Sequence, residues 1–404
     1  MMMFETEKDN TPPILDDSWE IRLRIEGPEA LMNHLEDTLK KSGDHSGLFY
    51  AKLLRARHKM GLPETPTGSA SDIDPQFHEP FEQAIKDAAT EVGEWTLGNG
   101  NMAGAWTYYR LLGQPQPIKD ALSKIHLEQL TEDQYEVVET SIRLAFHEGL
   151  DPVRGYGWIL SRYGLCNAIT TLSSPETPGG PEARKACLEL LVNALHNELG
   201  QRLAAEIERL EGNRPIAADV KSPLEPGTIA KMLKGREVLF EEEAYHIDLS
   251  HLSSVVQLGH ELCPGEAMAR VRDLCAYGQK LKGRFVPTGE PPFDPLFEGQ
   301  DRFFAALMGD DTAAQVAWFT NIAERELAEN NPYPAEILRK LLDRLEMSAE
   351  SLVWAGRTLS APALAGICRA AKDFKPMLQA AKAQGDPVHL VAALLEQARA
   401  KQLD

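Results

Sequence analysis

The chain has 404 residues, about 43% of them apolar, and carries a formal charge of −19 from 42 basic and 61 acidic side chains. That length exceeds what one compact core usually serves, so two domains or one repeat array are expected. The acidic balance, with no Lys/Arg-rich run, disfavours nucleic acid and anionic membranes as partners and suits a basic protein partner.

Residues 1–17 are acidic and broken by proline; they read as a disordered tail without the basic start and apolar centre of a signal peptide. The segment from Glu26 to Pro63 then gives a helix pair. Ala30, Leu31, His34, Leu35, Thr38 and Leu39 share one face, Gly43 stops the helix, and Leu48, Phe49, Lys52, Leu53 and Ala56 line the second. Pro63 to Pro75 reads as a loop. Helices are expected at Gln76–Trp95, Met102–Leu112, Pro117–His126, Thr131–Phe146 and from Pro152 toward Leu172. The longest helix is expected from Pro181 to about Leu210, its stripe formed by Cys187, Leu190, Leu191, Ala194, Leu195, Leu199, Leu203 and Ile207.

The Pro- and Gly-rich stretch 212–227 is the expected linker between an N-terminal helical domain (18–211) and a C-terminal one (228–404). Further helices are expected from Asp248 to Leu262, Glu266 to Leu281, Phe297 to Met308 and Thr312 to Leu327, then in five shorter segments from Pro334 to Ala400. In FFAALMGDDTAAQVAWFTNIAERE, Gly309 closes one helix, Asp311 is placed to cap the next, and Ala314, Ala317, Trp318 and Ile322 would form its buried face. No strand pattern competes, so the fold class is all-α, stacked antiparallel helix pairs in an α-solenoid of two parts.

The small-residue and aromatic positions of that segment resemble tetratricopeptide (TPR-like) repeats over about the last 150 residues. Segments such as FHEG, YGLCNAITTL and YHIDLSHL also resemble uncharacterised bacterial helical-repeat proteins. These resemblances imply an architecture and bring no activity with them.

Two polar clusters are candidates for chemistry. In the first, His147 and Glu148 end one helix while Arg154, Arg162, Tyr163 and Asn167 lie on the next, so they can converge as a binding pocket. The structural alternative is that His147 meets the helix dipole and Gly149 makes the left-handed turn. In the second, His246, Asp248 and His251 fall within six residues, a set that suits zinc, iron or manganese. Against a metal, Asp248 is also a good N-cap, and His251 shares a helical face with Val255, Leu258 and Leu262, while His260 is rotated away.

A sharper expectation joins both clusters in one cleft walled by His196 and Asn197, with Glu148 as general base and Arg154 orienting an anionic substrate. Other motifs carry less. GNGNMAG, from Gly98 to Gly104, lacks a preceding strand and a Gly-Lys-Ser/Thr ending, and reads as a turn with Asn101 as N-cap. Ser253 and Ser254 have no strand-turn-helix elbow, and Trp106 and Tyr109 read as core. Five scattered cysteines, none in a C-x-x-C pair, suit a reducing, cytoplasmic setting.

The leading functional expectation is therefore a scaffold or binding protein holding a peptide, a protein partner or a small-molecule ligand in a concave cleft. The alternative is a metal-dependent hydrolase or oxygenase using His246, Asp248 and His251. A third is a structural component of a larger assembly.

Overall fold

A computed structural model describes residues 16–65, 73–127, 134–212 and 223–403, and among them there are helices and turns but no strand. Nearly all of the expected acidic tail, and the start of the helix expected at Thr131, lie outside the described residues. The described residues contain no helix long and apolar enough to cross a membrane. The chain forms two compact units, Met1–Ile159 with Pro178–Gly180, and Leu160–Thr177 with Pro181–Asp404.

In the first unit, helices α1 (Ser18–Glu26), α2 (Pro28–Ser42), α3 (His45–Lys59), α4 (His78–Gly98), α5 (Met102–Leu112) and α6 (Gln116–Ser123) each pack on the next. Gly43 and Gly113 end α2 and α5 in the left-handed conformation, where glycine pays no Cβ penalty. Asn101 caps α5 by accepting from Gly104 N at 2.8 Å, as its spacing predicts. Helices α4 and α5 pack extensively, and a side chain at Gly93 would press on Tyr108. Leu48, Ala89, Val92 and Tyr108 centre this core, and the Tyr108 hydroxyl donates to the carbonyl of His45 at 2.9 Å. Between α2 and α3, buried Glu36 accepts from Lys52 at 3.1 Å and Arg55 at 2.7 Å. Helix α7 (Tyr135–Ile142) runs into one turn of π-helix, Arg143–His147.

Helix α8 (Pro152–Ser173) is interrupted at Gly164, whose backbone (φ 77°, ψ −178°) is not helical. Asn167 repairs the break by donating its amide to the carbonyl of Tyr163 at 2.8 Å. Helix α9 (Gly180–Glu211) is the long helix read from the sequence, and Cys187, Leu191, Leu195, Leu199, Leu203 and Ile207 of the expected stripe are buried.

The second unit continues with α10 (Thr228–Leu233), α11 (Leu249–Leu258), α12 (Glu266–Gly278), α13 (Leu296–Leu307), α14 (Thr312–Ala328), α15 (Tyr333–Arg344), α16 (Ser348–Thr358), α17 (Ala361–Ala371), α18 (Lys375–Gln384) and α19 (Pro387–Leu403). From α11 onward each helix packs on its successor. Leu352, Ala355, Leu364, Cys368, Phe374, Met377 and Ala393 form the core of the last four.

Three local expectations change. The buried stripe of α14 centres on Phe319 and Ala323, leaving Ala314 and Ala317 exposed, because the helix is rotated by about one position. Asp311 precedes α14 with a left-handed backbone (φ 49°) and makes no side-chain cap; Thr312 instead donates its hydroxyl to Ala306 O at 3.0 Å. The stretch 212–227 lies inside the second unit, with 213–222 outside the described residues. Its far end is held there by hydrogen bonds: Leu224 N donates to Asn197 at 2.7 Å and Gly227 N to Asp273 at 2.7 Å.

Candidate functional site

Glu148, His147 and Arg154 belong to the first unit, and the π-turn decides where they stand. A bond spanning five residues, from Glu148 N to Arg143 O at 2.9 Å, closes the wide turn, and Gly149 (φ 71°) reverses the chain. The same turn returns Gly149 N to Phe146 O at 3.1 Å. The exposed Glu148 carboxylate accepts from Trp106 Nε1 at 3.2 Å and lies 3.6 Å from Arg110 and 3.9 Å from Arg143. Arg154 pairs with Asp151 at 2.9 Å, and its guanidinium lies 6.0 Å from the Trp158 ring centre. The start of α8 comes so near the π-turn that a Cβ on Gly155 would sit 2.6 Å from Phe146 N. Glu148 is thus tied to three neighbours, and Arg154 to an aspartate of its own turn, an arrangement that anchors the chain here.

The remaining residues expected at a site belong to the second unit. Arg162, Tyr163 and Asn167 are exposed around the Gly164 break. His196 is fully buried on α9, and its Nε2 lies 2.9 Å from Asp273 Oδ2. It has no surface to offer a ligand.

In the second cluster, Asp248 caps α11, accepting from Ser250 N at 2.7 Å and His251 N at 3.2 Å. The Ser250 hydroxyl, also bonded to it, holds the Asp248 carboxyl below the usual carboxylate range, with the two backbone N–H groups adding to the effect. His246 turns to a different partner, the buried Tyr277 hydroxyl, with its Nδ1 at 3.1 Å and its backbone N–H donating at 2.9 Å. Burial pushes the His246 imidazole below its ordinary pKa, against the opposing charge of Glu206, and burial pushes the Tyr277 hydroxyl up to about 12. Among the described residues no group of three or more His, Cys, Asp or Glu side chains is placed to hold a metal ion. His246, Asp248 and His251 therefore stand near one another as a cap and a hydrogen-bonded ring, not as an assembled ligand set.

The second unit does contain a cleft of about 420 Å³ that the sequence reading did not single out. Gln257 of α11, His260 in the 3-10 turn just after it, the loop Thr288–Phe293, Gln300 of α13 and Tyr333 at the start of α15 line it. Two glycines make the loop possible: a Cβ on Gly289 would collide with Phe293 O, and one on Gly299 would fall 2.7 Å from Pro292 O. His260 is stacked on Phe303 with ring centres 4.3 Å apart, meets Phe293 and Phe304 edgewise, and donates through Nε2 to Gln300 Oε1. Burial among these rings, aided by the charges of Arg344 and Lys340, lowers its pKa to about 4, although Gln300 opposes the shift. The imidazole is neutral at physiological pH.

Comparison with family models, with curated proteins and with solved structures gives no match to this chain. The cleft is lined mostly by polar side chains beside an apolar wall of Phe293 and Leu296; converging polar groups of this kind can fix the orientation of a ligand. Its residues lie up to 76 positions apart in the chain, on three helices and a loop, so no local motif announces them; the turn-rich run GEPPFDPLFEGQ is the nearest signal.

Proposed function

We propose that this chain is a helical-repeat, TPR-like binding protein, and that the cleft beside His260 is where its second unit seats part of a peptide or small-molecule ligand. The observation that carries this reading is the cleft itself: about 420 Å³, walled by Phe293 and Tyr333 and supplied with hydrogen-bonding groups by Gln257, Thr288 and Glu290. A volume in this range holds a side chain with its flanking backbone, or a small metabolite. The succession of helices from α11 to α19, each packed on the next, supports a scaffold role, since stacked helix pairs provide rigid surfaces for recognition. That none of the five cysteines is in a disulfide supports a reducing compartment such as the cytoplasm.

The test fills the cleft. Gln257 is exposed on α11, so Gln257→Trp adds an indole at the cleft wall with little effect on folding. Peptides selected by the parent protein from a random display library are expected to lose binding to this variant while its melting temperature stays the same. Selection that yields nothing above background, or peptides that bind both proteins equally, would overturn the reading.

A further inference from the structure

We infer that the cleft takes an organic cation, the ammonium or guanidinium end of a ligand; this rests on the binding reading above. Among the described residues, Glu290 is the one charged side chain lining the cleft at neutral pH, since His260 there is uncharged. Glu336, in the first turn of α15, stands with it beside Tyr333. Several carboxylates on the helices of the second unit have a basic partner, as in Glu298 with Arg302 at 3.0 Å, Asp343 with Arg339 at 2.7 Å and Glu324 with Arg357 at 2.6 Å. Glu290 and Glu336 have no such ion pair among the described residues; Glu290 lines the cleft, and Glu336 follows the lining residue Tyr333 by three positions on α15.

The second component is aromatic. Tyr333 is 42% exposed at the mouth and Phe293 is buried in the wall. The faces of such rings attract cations, most strongly where water is excluded. Both carboxylates act on the Tyr333 hydroxyl: burial raises its pKa first, and the charges of Glu290 and then Glu336 raise it further. Two negative charges and an exposed ring therefore share one small region.

Positive groups are near but differently engaged. Arg344 donates to the carbonyls of His260 and Leu262, behind the imidazole, and Lys340 is an exposed residue of α15 that does not line the cleft. Neither neutralises Glu290. An anionic ligand would meet Glu290 with no lining cation to receive it, and a neutral apolar ligand would leave that carboxylate unpaired as it entered. A lysine or arginine side chain, or a free polyamine, satisfies both the carboxylate and the ring.

Isothermal titration calorimetry on the full chain tests this with three probes: a blocked peptide with one central lysine, the same peptide with norleucine at that position, and spermidine. The lysine peptide is expected to bind at least about tenfold more tightly than the norleucine peptide, and Glu290→Gln to remove about that factor, as loss of one charge-assisted contact does. Tyr333→Leu should weaken the lysine peptide and leave the norleucine peptide unchanged. Spermidine matching the lysine peptide would assign the site to free amines, and spermidine binding more weakly would assign it to protein side chains. Equal binding of the two peptides, an unaltered lysine affinity in Glu290→Gln, or no binding by any probe would overturn the cation inference. The binding reading is judged separately: peptides of any charge that bind the parent and fail on Gln257→Trp keep it standing when the cation inference falls.

Discussion

Asp273 and His196 form a buried pair, 2.9 Å apart, and the same Asp273 oxygen accepts from Gly227 N at 2.7 Å. One carboxylate thus joins α9, α12 and the point where the chain enters α10. Arg270, one turn away on α12, adds a second tie by donating to Leu224 O at 3.0 Å.

Asp273→Ala should destabilise the second unit by about 3 kcal/mol, because it leaves a buried imidazole and a partly buried N–H without their acceptor. Urea denaturation followed by circular dichroism measures it. A loss under about 0.5 kcal/mol would mean that the pair carries little of the packing.

Arg184 is buried and donates to Leu172 O at 3.0 Å, to Ser174 O at 2.6 Å and to Glu261 at 2.7 Å. Removing its guanidinium strands two carbonyls at the end of α8. Arg184→Met is expected to cost about 2–4 kcal/mol and to expose the 172–177 segment to limited proteolysis, while Arg184→Lys, lacking the planar fork, should recover only part of the loss.

His260 gives the fold an acid-sensitive point. Its pKa in the folded chain is about 4 against an ordinary 6.5, so between these values the unfolded state binds the proton and the folded state does not. Stability is full above about pH 6.5 and falls as the pH drops toward 4, by on the order of 2 kcal/mol after allowance for partial exposure of the ring. Urea midpoints at pH 7 and pH 4.5 should differ less in His260→Gln than in the parent. An equal difference in both would place the acid sensitivity on other groups.

Gly289→Ala tests the loop that walls the cleft. With Phe293 O in the space of the new Cβ, the loop must move, at an expected cost of about 2–4 kcal/mol or with loss of the cleft. Chemical shifts of Tyr333 and Gln300 would report the displacement.

Local features of this fold were legible in the sequence because their causes are local. The Asp248 cap depends on residues two and three positions ahead, and the stripe of α9 repeats every three or four residues through a single uninterrupted helix. Helix α1 was not legible, since Ile21, Leu23 and Ile25 alternate and remain exposed, giving no one-sided stripe. The π-turn was hidden for a different reason: one extra residue in a turn leaves no mark in composition, yet it sets the position of Glu148. The cleft was least visible of all. His260 and Gln300 are 40 residues apart, and their contact depends on how α11 and α13 pack on α12.

The partners of α9 also bear on how the chain is made. Arg184 finds Glu261, and His196 finds Asp273, each 77 residues downstream. A ribosome adding about 5–20 residues per second therefore releases the long helix several seconds before either acid exists. During that interval the Arg184 guanidinium has the upstream carbonyls of Leu172 and Ser174 but not Glu261, and the His196 imidazole lacks Asp273. Translation speed through residues 212–273 therefore sets how long the two basic side chains of α9 wait for their acids.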